Sequence, residues 1–256
     1  MVQVKIYDKL NSQYIGWGSG VGIDSLGILT NFHVVEPIIK QPQRYQAIIC
    51  LSGQVSESPD CTYIASPFGL LGNTLGQYNE NLDLAILTFT DKITPTGIKN
   101  FWQWTGSDIP NIKNIKISQY GTDLSLLNLK NGSDVQTLGY PSDQNGKLAY
   151  SFGKITGYIF NQFGDLLHVK ISAKIYFGSS GGGAFDSEGK FLGVTSGGWT
   201  DKQGKFIEGY IIPITTVNWW LKEVQGYRTT KKGEYTQSEV PESVIEQVVC
   251  VLAREQ

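Results

Sequence analysis

The sequence predicts an all-β fold, built as barrels or a sandwich, and three observations carry that expectation. From Val2 to about Pro213 the chain is a succession of short runs rich in β-branched and aromatic residues. Glycine, asparagine and proline interrupt these runs at close intervals, as turns between antiparallel strands require. Helical periodicity first emerges after Pro213, which argues against a parallel sheet with helical crossovers.

The elements follow in order. The runs YIGWGSGVGI, GILTN, YQAIICL and LAILTF read as strands of a first half, and VQTLGY, YSFGKITGYIF, LLHVKI, FLGVTSGG and GYIIPI as strands of a second. Between them, Phe101 to Ser118 lacks alternation and is rich in turn residues, so the boundary is placed there. The expected division is a first barrel over about 1–105, a second over about 119–215 and a closing helix over about 215–225. That helix is TTVNWWLKEVQ, amphipathic on Val217, Trp220, Leu221 and Val224, and it should pack on the β core. Residues 226–256 then read as a polar linker, RTTKKGEYTQSE, and a second helix with Pro241 near its first turn. The apolar face of Val244, Ile245, Val248, Val249 and Leu252 must fold back, self-associate or meet a partner.

Composition removes several function classes. The 256 residues carry 21 basic and 23 acidic side chains, and a net charge of −2 is no footprint for nucleic acid or an anionic membrane. No segment has the apolar length of a membrane span, and the first residues lack a signal-peptide core, so a cytoplasmic location is expected. Three cysteines, Cys50, Cys61 and Cys250, cannot all pair within one chain and are read as reduced thiols. The two histidines, His33 and His168, are far apart and no C-x-x-C occurs, so neither a metal nor another cofactor is expected. His168, in LLHVKI, reads as an ordinary strand histidine.

One motif carries chemistry. GSSGG, Gly178 to Gly182, fits both the G-x-S-x-G elbow of α/β-hydrolases and the G-x-S-G-G of trypsin-like proteases. An elbow needs its acid and histidine after the serine, whereas both histidines here precede Ser180. The order His, Asp, Ser remains. His33 lies in ILTNFHVVE after a strand-like run, and Asp83 opens the apolar run DLAILTF, with Glu80 as the competing acid. A serine hydroxyl needs a base near pH 7, which an imidazole supplies; the imidazole needs a carboxylate to fix its tautomer. His33 is thus the candidate base, Asp83 its orienting acid and Ser180 the nucleophile. Gly178 allows its N–H to turn with that of Ser180 toward a developing oxyanion.

Together GSGVGIDSLGILTNFHVV, DLAILTF, LGYP, SFGKITGY and GSSGGGAFDSEGKFLGV resemble the trypsin-like serine proteases, most closely the bacterial HtrA-like branch, over roughly residues 14–215. The resemblance implies two packed six-stranded antiparallel β-barrels with the active site in the cleft between them. It implies a serine endopeptidase that forms an acyl-enzyme and acts on protein or peptide substrates. The specificity pocket would be lined by Ala173 to Phe177, including Lys174, Ile175 and Tyr176, and by Thr195, Ser196, Gly197 and Gly198. Lys174 would favour an acidic substrate side chain if it pointed inward; a solvated lysine leaves Ile175 and Thr195 to form a neutral pocket. Gly197 and Gly198 would leave the cleft wall open for an extended peptide.

Departures from the family are informative. Digestive members pair an acidic residue before the serine with a freshly cut N-terminus; Ser179 stands there, so no such ion pair can form. The 50-residue interval from His33 to Asp83 holds SESPDCTYIASPFGLLGNTLGQYNE, read as a lid, a docking surface or a tolerated insertion. No PDZ-like module is expected after the protease. The alternatives to an active endopeptidase are a silent peptide-binding module of the same fold and a regulated effector whose C-terminal helix engages a regulatory partner or fused domain.

Overall fold

The computed structural model describes residues 1–23, 27–52, 54–68, 77–100, 103, 105, 107, 110 and 130–230. The first half consists of β1 (Val2–Asp8), β2 (Gln13–Ile23), β3 (Gly27–Thr30), α1 (Phe32–Lys40), β4 (Tyr45–Leu51), β5 (Asp60–Ser66), β6 (Tyr78–Asn79), β7 (Leu84–Thr94) and β8 (Gly97–Asn100). Antiparallel ladders run from β3 through β2, β1, β4 and β5 to β7, and β7 pairs back onto β3, so six strands form a ring with β6 and β8 added on β7. Alternation sets the faces: Val2, Val4 and Ile6 of β1 point inward with Ala47, Ile49, Tyr63, Ala65 and Leu87. α1 plugs this barrel through Val34, Val35 and Ile38, which leaves His33 on its outer side.

The second half consists of β9 (Asp134–Gly139), β10 (Ala149–Phe160), β11 (Leu166–Ile171), β12 (Gly183–Phe185), β13 (Phe191–Thr200) and β14 (Phe206–Pro213). These six close a barrel in the order β10-β11-β14-β13-β12-β9. Val135, Ile155, Val169, Ile171, Ala184, Leu192 and Ile211 fill it. A separate core joins the halves: Val21, Ile23, Leu29, Leu84 and Ile86 meet Phe191, Val194 and Ile212, and Val217, Trp220 and Leu221 of α2 (Ile214–Thr230) complete it. The closing helix therefore seals the seam between the barrels, where burial of several large apolar side chains makes their relative position stiff.

Three expectations are corrected or refined. Cys50 and Cys61 are not thiols: they stand opposite each other on β4 and β5 and form a disulfide. Antiparallel pairing brought together two cysteines that the odd count of three had argued against pairing, and the reduced-cysteine argument no longer bears on location. The His33 to Asp83 interval is not an insertion throughout, because its DCTYIAS becomes β5, an integral barrel strand between β4 and β7. α2 runs to Thr230, so the start of the expected linker, Arg228 to Thr230, is helical. The expected second helix and Cys250 lie outside the described residues, as does most of the expected junction between the halves. Among the described residues no helix is long and apolar enough to cross a membrane, and no cluster of three metal-ligating side chains occurs.

Candidate active site

The barrels bring His33, Asp83 and Ser180 to one seam. Asp83 ends the turn before β7 at φ +52°, a left-handed conformation that aspartate tolerates better than most residues. Its N–H donates to the Glu80 carbonyl (3.1 Å) and its own carbonyl accepts from the Nδ2 of buried Asn31 (2.9 Å). Thus fixed, its carboxylate accepts from the His33 backbone N–H at 3.0 Å and lies 2.9 Å from His33 Nδ1 through both oxygens. A carboxylate can only accept here, so Nδ1 carries the proton and Nε2 is left as the basic nitrogen. The Ser196 hydroxyl donates to Asp83 Oδ2 at 2.9 Å. His33 is 47% exposed and Asp83 25%, so the imidazole is open to solvent while the carboxylate is more sheltered. Glu80 is exposed and, among the described residues, meets the site through its backbone carbonyl.

Ser180 lies across the seam. Its hydroxyl donates to the Ser196 carbonyl at 2.8 Å, and no hydrogen bond joins it to His33 among the described residues. Ser196 reaches both partners because β13 bulges there: the register to β14 shifts between Thr195 and Gly197. One residue's side chain therefore touches the acid while its carbonyl touches the serine.

The backbone around Ser180 is held plane by plane. The Phe177 carbonyl accepts from the Ser142 N–H (2.7 Å), and the Ser179 carbonyl from Thr195 Oγ1 (2.7 Å) and the Gly182 N–H (2.9 Å). A trans peptide aims its N–H opposite to its C=O. The N–H groups of Gly178 and Ser180, which share those two planes, are left without an acceptor among the described residues. The adjacent N–H groups are used: Ser179, between the two, donates to the Tyr176 carbonyl (2.9 Å), and Gly181, after them, to the Thr195 carbonyl (2.8 Å). Two unpaired donors flanking a serine form the electrostatic arrangement that binds an oxyanion. Gly178 has φ +89°, and a Cβ there would lie 2.4 Å from Trp17 Nε1 and 2.5 Å from the Tyr140 carbonyl, so only glycine fits.

The expected pocket residues are placed differently from one another. Ile175 is buried in the second barrel's core, and its side chain fills the space beside Gly209, where an added Cβ would come within 2.8 Å of it. Thr195 is buried and uses its hydroxyl on Ser179. Lys174 is exposed and, with Tyr176 and Ser179, lines a cavity of about 190 Å³ against β9 and Pro141. None of His33, Asp83 and Ser180 lines that cavity. Gly197 has open space where a side chain would be, and Gly197 and Gly198 pair only with β14 among the described residues, which leaves their other edge unpaired. His168 stacks edge-on with Tyr210 at 6.2 Å, and burial lowers its pKa while the charge of Asp83 opposes that shift. The supporting parts played by Asn31, Ser142 and Ser196 were not legible from residue type, although Asn31 directly precedes the FHVV run and Ser196 lies within a segment already singled out.

Residues 18–194 match the family model of the trypsin-like peptidase domain. Solved structures share the fold. Deg5 superposes with a TM-score of 0.55 at 21% identity over 84% of each chain. An inactive serine-to-alanine mutant of Rv3671c from M. tuberculosis H37Rv gives 0.54 at 20% identity over 91% of this chain and 89% of that one. The inactive form of the Rv3671c protease gives 0.53 at 20% identity over 87% and 88%. No curated protein sequence matches at a significant level.

Proposed function

The chain belongs to the trypsin-like peptidase family, and from that premise we propose that it is a serine endopeptidase working through Ser180, His33 and Asp83. The observation that supports this most is the pair of N–H groups at Gly178 and Ser180 left unpaired among the described residues, presented beside a serine whose own carbonyl and those of Phe177, Gly178 and Ser179 are engaged. Ser180 Oγ exchanges the Ser196 carbonyl for His33 Nε2 by rotation of its side chain, attacks the scissile carbonyl and passes its proton to Nε2. The new oxyanion is held by the Gly178 and Ser180 N–H groups, while Asp83 stabilises the imidazolium. His33 returns the proton to the leaving amine, and water then releases the acyl group by the same path.

Substrate would bind as an extended strand on the free edge at Gly197 and Gly198. With Ile175 filling the space beside Gly209 and Lys174 lining a different cavity, the subsite for the residue before the cut is neutral and shallow, suited to small aliphatic side chains. Incubation with a diverse peptide library, read by mass spectrometry, should give cuts after such residues and none with Ser180→Ala. Cleavage surviving in that variant, or acidic residues dominating before the cut, contradicts this reading.

A second reading is favoured by the Ser180 to Ser196 bond, which leaves the hydroxyl turned away from its base: a protease silent until a substrate or regulatory partner arrives. Activity that appears only on adding a partner-containing extract, still dependent on Ser180, supports it over the constitutive form.

A further inference from the structure

Ser19 of β2 belongs to the first barrel, yet every polar group it has is used, and three of its four hydrogen bonds hold backbone of the second barrel. Its hydroxyl donates to the Gly178 carbonyl at 2.7 Å and accepts from the Tyr140 N–H at 2.9 Å. Its N–H donates to the Ser180 carbonyl at 2.7 Å. Its carbonyl accepts from Thr30 Oγ1 at 2.7 Å within its own barrel. The residue is fully buried, so none of these bonds competes with water.

We propose that Ser19 is a positioning residue for the oxyanion site, one that fixes the backbone on either side of the nucleophile from the opposite barrel. The assignment rests on the reading of Ser180 as nucleophile. The carbonyls of Phe177 and Ser179 are held from within the second barrel, but those of Gly178 and Ser180 are held by Ser19 alone among the described residues. The Gly178 N–H and the Gly178 carbonyl sit on either side of one α-carbon whose positive φ only glycine adopts without strain. A glycine has the freest backbone of any residue, so an anchor on its carbonyl restricts the direction of its N–H. The neutral Ser179 cannot supply this order through an ion pair; a buried hydroxyl from β2 supplies it instead. Ser19 touches no reacting atom. Its effect passes through the two donors it orients.

The test compares Ser19→Ala with Thr30→Val, which removes the bond to the Ser19 carbonyl and leaves Gly178 untouched. A fluorophosphonate probe forms a bond from Ser180 Oγ to phosphorus with loss of fluoride and places its phosphoryl oxygen in the oxyanion site. Alkylation of His33 by iodoacetamide does not use that site. Ser19→Ala should lower the maximal labelling rate of Ser180 by about ten- to a hundredfold, the scale of a small misplacement of a catalytic group. The half-saturating probe concentration and the alkylation rate should stay within about twofold, since neither depends on the oriented donors. Thr30→Val should label at close to the unmodified rate. If Ser19→Ala does not fold, Ser19→Cys, whose thiol is a weak donor, should show an intermediate loss. Undiminished labelling of the Ser19 variant, or an equal loss in Thr30→Val, overturns the assignment while leaving the protease reading intact. Absence of labelling in the unmodified chain overturns the assignment together with the reading of Ser180 as a constitutively active nucleophile.

Discussion

Ser196 shows how much of this site depends on single residues with two bonds each. Its hydroxyl sits on Asp83 and its carbonyl on Ser180, so the two residues are tied through one bulged position of β13. Asp83 in turn accepts from His33 twice, through the ring and the backbone. Asp83→Asn should preserve this shape but turn an amide toward Nδ1 and favour the wrong tautomer. Loss of the orienting carboxylate from such a triad costs about 10⁴ in turnover, and a loss of that order is expected in turnover of a cleaved peptide. Glu80→Gln should change it little. A crippled Glu80 variant with an active Asp83 variant would reverse the choice of acid. His33, Asp83 and Ser180 were readable as candidates because each residue type lies in a distinctive local run. Ser19 and Ser142 were not, because their meaning lies in backbone groups more than a hundred residues away for Ser19, and in a carbonyl 35 residues away for Ser142.

At the scale of elements, two staples outside the site set conditions on stability. The Cys50–Cys61 disulfide joins neighbouring strands β4 and β5 across an 11-residue separation. A loop of this size is worth about 2–3 kcal/mol, so a reductant should lower Tm by roughly 5–10 °C in a chain of this length. An unchanged Tm after verified reduction would show that the strands hold without it. Asp8, buried at the end of β1, accepts from both Arg44 nitrogens Nε and Nη2 and from the N–H groups of Leu10 and Asn11. Chiefly the Arg44 bond lowers its pKa from 3.8 to about 2. A carboxyl with a depressed folded pKa stabilises the fold above its unfolded pKa and loses that contribution as pH falls through the folded one. The fall in Tm between pH 4 and pH 2 should therefore be shallower in Asp8→Asn than in the unmodified chain. Equal slopes would mean that Asp8 does not titrate with folding. The strands with long apolar runs were legible from pattern, whereas β5 was hidden because its short run follows a turn-rich stretch, and α1 because Pro37 and the pair Val34 and Val35 disguise a helix whose stability comes from burial rather than propensity.

At the scale of the whole molecule, the two barrels are not interchangeable halves. The first supplies His33, Asp83 and Ser19; the second supplies Ser180, the two free donors and the open strand edge. The seam core sealed by α2 holds these contributions in register. The barrel pair was legible from chain order and strand spacing together with the family resemblance. The cross-seam bonding was not, because it depends on packing that no local pattern encodes. The central claim, that this seam activates Ser180, is tested most directly by reacting the folded protein with a fluorophosphonate probe near pH 7 and mapping the adduct by peptide mass spectrometry. The account predicts a single adduct on Ser180, lost in Ser180→Ala and slowed by orders of magnitude in His33→Ala. An adduct on another serine, or equal labelling of Ser180 with and without His33, would contradict it.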